Sequence, residues 1–164
     1  MNIFILDTDP KKAAQMLCDK HIPKMIVESA QMLSTAHRML DGVQAQRKSR
    51  SGKRIINTYV FNDVRDELFY AAVHHNHPCT KWTMESLDNY NWHYHHFANM
   101  SAEYLYRREK QHATWQKMGM ILAAHPENIP RVGLTEFAQA MSHYPECKVE
   151  GNAVQAYRNY YHTA

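Results

Sequence analysis

The sequence predicts a mostly helical, all-α single domain spanning residues 1–164, with no more than a short strand at its N-terminus, on three observations. Residues 21–40 carry helical spacing. Projected at about 100° per residue, Ile22, Ile26, Ala30, Leu33 and Leu40 fall in one sector, and Lys24, Glu28, Gln31, Thr35 and Arg38 in the other. Only 5 glycines stand against 10 methionines, a balance that favours helix over sheet. Helix punctuation is explicit at Asp9-Pro10 and at Asp41-Gly42. A chain of 164 residues is long enough to bury one sizeable core.

In order along the chain, Asn2 to Leu6 reads as a short strand or extended segment. A first helix is expected from Pro10 to about Lys20, with Asp9 as its cap. Pro23 has no N–H to donate, so the spacing predicts a kink there or a second helix restarting over 23–39. Residues 44–54 hold Arg47, Lys48, Arg50, Lys53 and Arg54, five cations within eight residues and no apolar face, and read as an exposed loop. Helical spacing returns at Tyr59 to Val73. The turn His74-His75-Asn76-His77-Pro78 then leads through Thr80 into one long helix to about Arg108. Further helices are expected over His112 to Ala123, Thr135 to Met141 and Asn152 to His162.

Composition narrows the function. Apolar residues make up 45% and charged residues 21%, the balance of an ordinary globule. No apolar run approaches the ~18 residues of a membrane span, and Met-Asn-Ile-Phe-Ile-Leu-Asp is too short and too acidic at its end for a signal peptide. Three widely spaced cysteines, Cys18, Cys79 and Cys147, suit a reducing cytoplasm rather than a disulfide scaffold or a CxxC metal site. The formal charge of +3 permits nucleic-acid binding without demanding it. Of the 12 histidines, His74, His75, His77, His93, His95 and His96 cluster, yet no HExxH or Cys/His pairing accompanies them, so no metal is assigned. No Gly-rich phosphate loop and no GxSxG turn occur, so no cofactor is expected.

The chemistry concentrates in two places. His21, Lys24 and Glu28 sit at i, i+3 and i+7 and can converge on one bound group, with Glu28 as base or electrostatic stabiliser, Lys24 as cation or amine nucleophile and His21 as proton carrier. The same spacing also describes a solvated Lys24–Glu28 pair beside a half-buried histidine. At the other end of the chain, Tyr157, Tyr160 and Tyr161 offer stacking faces and Arg158 a phosphate ligand, or else a helix docked by its tyrosines. The basic run at Arg47–Arg54 suits phosphate contacts, or is a solvated loop.

Cys18–His21, Ser34–Arg38, Asn76–Pro78 and Tyr157–Tyr161 together resemble the CDKH, STAHR, NHP and YRNYY blocks of a widespread family of small phage proteins, over nearly the whole chain. More distantly the chain is similar to the endonuclease V family of phage pyrimidine-dimer DNA glycosylases. Members of that family are small and all-helical. Their Asp-x-His lies nine residues before a catalytic glutamate, matched here by Asp19, His21 and Glu28, and their closing Trp-Tyr-Lys-Tyr-Tyr corresponds to Tyr157–Tyr161. The resemblance implies a DNA N-glycosylase, with or without an abasic-site lyase step, acting on a damaged or modified pyrimidine in double-stranded DNA. It adds His37, Arg38 and His77 to the DNA-facing residues. The family's nucleophile is the amine of an N-terminal threonine exposed by removal of methionine. Here Asn2 disfavours that removal, which leaves the Met1 amine, Lys24 or Lys20 in its place. Two other classes fit the same residues: an enzyme processing free nucleotides or modified bases in phage metabolism, and a non-catalytic nucleic-acid-binding or host-inhibitory module.

Overall fold

A computed structural model describes residues 1–163, of which the helical part is about half the chain, 52%, in seven helices. These are α1 (Pro10–Gln15), α2 (His21–Asp41), α3 (Arg65–Leu68), α4 (Pro78–Glu85), α5 (Leu87–Arg108), α6 (Ala113–Met118) and α7 (Ala153–Thr163). Two strands, β1 (Val43–Lys48) and β2 (Ile55–Val60), form an antiparallel sheet with Val43 opposite Val60 and Lys48 opposite Ile55. The all-α, endonuclease V-like expectation is therefore corrected. The stretch read as a cationic loop is a β-ribbon. Ile55, Ile56, Thr58, Tyr59 and Val60 supply the β-branched and aromatic residues that strands favour, and Gly52, at φ 71°, provides the left-handed turn residue. Charge density hid the period-2 pattern.

Helix α2 is the centre. It packs against α4, α5, α6 and the ribbon, while α1 lies on α5. It starts at His21, so Pro23 falls within the first turn, where its missing N–H has no intrahelical partner to lose; α2 neither kinks nor restarts there. Its polar sector is not a solvent face. Glu28, Thr35 and Arg38 are buried, Gln31 is half-buried, and only Lys24 of that sector is exposed. The chain from Phe69 to His77 covers it: Arg38 Nε donates to the Tyr70 carbonyl at 2.7 Å, and Val73 N donates to Thr35 Oγ1 at 3.1 Å.

Other boundaries shift for local reasons. The first helix ends at Gln15. Residues 59–73 hold the end of β2, the single turn α3 and extended chain rather than one helix, because Arg38 takes their carbonyls (below). The long helix breaks at Ser86, whose hydroxyl accepts from Asn89 N at 3.1 Å and caps α5. The helix expected over His112 to Ala123 stops at Met118, and the short 3-10 turn Ile121–Ala123 follows. Residues 135–141 form no helix, and side chains from elsewhere bond their backbone: Asn89 receives Thr135 N at 2.9 Å and Tyr157 receives Ala140 N at 3.1 Å. Asn2 to Leu6 forms no strand. It runs through the core without a strand partner, with Ile3 and Ile5 fully buried and a left-handed residue at Phe4. No helix among the described residues is long and apolar enough to cross a membrane.

Candidate active site

An open cleft of about 590 Å³ lies where the N-terminal segment, the first two turns of α2, the start of α4 and residues 139–148 meet. His21, Lys24 and Glu28 share this cleft with His77. Glu28 is its anchor and is only 9% exposed. Its Oε2 accepts from Asn2 N at 3.0 Å and lies 3.5 Å from the α-ammonium of Met1, while Oε1 lies 3.7 Å from Lys24 Nζ. One carboxylate thus faces two amines. The Lys24 side chain is mostly solvated, whereas the Met1 side chain is buried and leaves its amine at the cleft.

Asn2 holds that amine in place. Its Oδ1 accepts from Ile3 N at 2.8 Å and from the Tyr157 hydroxyl at 2.8 Å, and its Nδ2 donates to the Ala140 carbonyl at 2.8 Å. Two residues on, Phe4 adopts φ 56°, a left-handed conformation that costs a non-glycine residue about 1–2 kcal/mol. Packing offsets the strain. The Phe4 ring stacks on His21 with centroids 4.5 Å apart and touches Tyr157, Tyr160 and Tyr161.

His21 is oriented from both sides, by Phe4 on its face and by the Tyr161 hydroxyl 2.6 Å from Nδ1. Partial burial, helped by the nearby Lys24 cation, lowers its pKa, with Glu28 opposing, so the ring is neutral at pH 7. Burial likewise lowers His77, with the Met1 ammonium adding to the effect and a hydrogen bond to the Met1 backbone opposing it. His77 also caps α4, Nδ1 accepting from Cys79 N at 3.1 Å. The cleft therefore gathers the imidazoles of His21, His77 and His143, a carboxylate and the amines of Met1, Lys24 and Lys148. That set can move protons and form a covalent bond to an electrophilic carbon.

The other residues that the sequence nominated lie elsewhere. Arg38 donates to the Tyr70, Tyr59 and Phe69 carbonyls and to both the carboxylate and the carbonyl of Asp66, all five bonds internal. His37 packs against Phe69 and sits 2.9 Å from the Ala124 carbonyl, and burial lowers its pKa to about 4. Tyr157 is fully buried, and Arg158 bonds the Leu6 carbonyl and pairs with Asp7. These four side chains hold the chain together rather than face the cleft. Tyr160 lines it and Tyr161 stands behind His21. Arg47, Lys48, Arg50, Lys53 and Arg54 lie on the ribbon or its turn, outside the cleft. Sequence reasoning missed Asn2 and Phe4 as positioning residues, and His143, Tyr144 and Lys148 as the far wall. The one available signal was an uncapped polar residue, Asn2, ahead of an apolar run. Among the described residues, no three His, Cys, Asp or Glu side chains gather as a metal site. No family model, curated protein or solved structure matches the chain.

Proposed function

We propose that the chain is a DNA N-glycosylase with an associated lyase step, acting on a damaged or modified pyrimidine taken out of the duplex stack. The observation that carries the reading is an α-amine 3.5 Å from a buried carboxylate, in an open cleft shared with His21 and His77. Glu28 takes a proton from the Met1 ammonium, and the free amine attacks the sugar C1′. The glycosidic bond breaks with its electron pair on the departing base, which takes a proton from water. The nitrogen of the new C–N bond gives a proton to the hydroxide left by that water, and the sugar ring opens as its oxygen receives the proton held by Glu28, leaving a protonated imine. Removal of a C2′ proton, for which neutral His77 is suited, then expels the 3′-phosphate by β-elimination. Once it has given its proton to the ring oxygen, the Glu28 carboxylate lies beside the cationic imine and supplies the electrostatic stabilisation that the elimination needs.

Borohydride trapping on abasic and pyrimidine-damaged duplexes tests the reading. An intact mass that retains Met1, a covalent protein–DNA adduct and peptide mapping of that adduct to Met1 are the expected results. An adduct at Lys24 moves the nucleophile one turn, and no adduct on any duplex overturns the lyase step. The cleft volume also falls in the range of small-ligand sites, which favours free-nucleotide chemistry as the second reading. Turnover of free modified nucleotides without duplex turnover would establish it instead.

A further inference from the structure

The ribbon β1–β2 has two unlike faces. Paired residues of an antiparallel sheet point the same way, so Val43, Ala45, Arg47, Ile56, Thr58 and Val60 share one face and Gln44, Gln46, Lys48, Ile55, Asn57 and Tyr59 the other. The first face is turned inward at Thr58, which is buried, and at Ala45, Ile56 and Val60, which are half-buried, while Val43 and Arg47 on it are exposed. The second is open. Gln44, Gln46 and Asn57 are all exposed there, with Gln46 Nε2 donating to Asn57 Oδ1 at 3.3 Å. The far end and turn carry Arg47, Lys48, Arg50, Lys53 and Arg54. Residues 43–62 contain no acidic residue, and among the described residues none of those five cations makes a salt bridge. An exposed row of amides leading to an unneutralised cationic tip does nothing for the core.

We propose that this ribbon is an arm that enters the major groove of duplex DNA, its tip cations on the phosphates and its open-face amides on base edges. A two-stranded ribbon fits the B-form major groove, and Gln and Asn amides match the N7 and N6 positions of adenine. Placement agrees. The root of the arm is held at Arg38, where Nη1 donates to the Tyr59 carbonyl at 3.2 Å. From there residues 69–77 run back along α2, past Thr35, to His77 at the cleft, so one segment links the root of the arm to the cleft. Arg38 lies ten residues beyond Glu28 along α2, or ~15 Å. That is roughly four to five base steps of one duplex. The inference deepens the glycosylase reading, which it takes DNA from, by naming a second contact on the same duplex.

Equilibrium binding of the full chain to an undamaged 20-base-pair DNA duplex over a salt series tests the arm with no turnover involved. Arg50→Ala with Lys53→Ala, both exposed positions, should flatten the slope of log affinity against log salt by about 1.8. Replacing the purines with 7-deaza analogues, which lack the N7 acceptor, should weaken the wild-type protein roughly fivefold or more. The Gln46→Ala, Asn57→Ala protein should be indifferent to that replacement while keeping the wild-type salt slope. An unchanged slope in the cation variant overturns the phosphate contacts. Wild-type indifference to 7-deazapurines, or equal affinity for an RNA duplex whose major groove excludes side chains, overturns groove entry. Failed trapping with the arm variants behaving as expected would sink the glycosylase chemistry and leave the arm standing.

Discussion

The two halves of α2 carry the same chemical types and use them in opposite ways. The first half holds His21, Lys24 and Glu28, and the second holds His37 and Arg38, with Asp66 as the acid. At the second, every guanidinium nitrogen is bonded and His37 is packed against Phe69, so the charge organises β2, α3 and the chain to Tyr70. At the first, the carboxylate is as nearly buried, but its partners are two amines that open onto a cleft. A saturated charge holds a fold, and a charge with a replaceable partner is available for chemistry. What separates them is how many fixed acceptors or donors the rest of the chain brings to each.

The largest effect should come from the saturated half. Arg38→Met leaves four carbonyls without their donor and should cost about 3–5 kcal/mol, lowering Tm by roughly 6–20 °C in a thermal melt. Lys24→Met, its counterpart in the cleft, should cost only about 0.3–0.5 kcal/mol, being half of an exposed i, i+4 pair. A comparable loss from both would erase the contrast. Next in size, Glu28→Gln keeps volume and the bond from Asn2 N but removes the charge. Turnover on the true substrate should fall ~100-fold, about 2.7 kcal/mol in the barrier, while the protein still melts cooperatively. Full activity in this variant takes Glu28 out of the mechanism.

Acid should act on the saturated half through His37. Burial lowers its folded pKa to about 4 from the ordinary 6.5, so as pH falls the unfolded chain takes the proton first. The stability it contributes is complete above pH 6.5 and is lost between 6.5 and 4, at up to ~1.4 kcal/mol per pH unit. His93 and His96, lowered by burial to about 3, add slopes of the same sign. Urea midpoints across pH 4–7 should show the His37→Gln protein losing less stability on acidification than wild type, and an unaltered slope would mean the ring is charged when folded. Smallest is Tyr161→Phe, which removes the hydroxyl beside His21 Nδ1. It should cost about 1 kcal/mol and lower turnover roughly fivefold, with the acid limb of the pH–rate profile displaced. Unchanged rates at every pH would make Tyr161 a packing residue only.

Helical periodicity finds α2 and α7 almost to their ends, because their apolar spacing depends only on neighbours in sequence. It also groups His21, Lys24 and Glu28 correctly on one side of a helix. It fails where partners arrive from far away. Arg38 looks on a helical projection like a solvent-facing cation, and nothing local says that residues 59–70 will wrap it. The ribbon is missed for a different reason: cations at Arg47 and Lys48 occupy strand positions, since an exposed face accepts them, and they mask the alternation that Ile56, Thr58 and Val60 complete. Asn2 shows in the sequence only its effect on methionine removal. Its physical role, five residues bonded through one amide, depends on Tyr157, Ala140 and Cys79 as well as its neighbours Ile3 and Phe4.

Those distant contacts set a schedule. Asn2 and Tyr157 are 155 residues apart, yet one hydrogen bond between them helps aim the Met1 amine. During synthesis at about 5–20 residues per second, the front of the chain waits roughly 8–30 s before α7 has even been made. Over that interval Ile3 and Ile5, fully buried in the finished molecule, have neither α7 nor residues 138–141 to pack against. The cleft therefore cannot assemble on the ribosome ahead of the rest. A nascent chain stalled before Tyr157 would carry Glu28, His21 and Lys24 on a formed α2 and still lack the geometry that makes them a site.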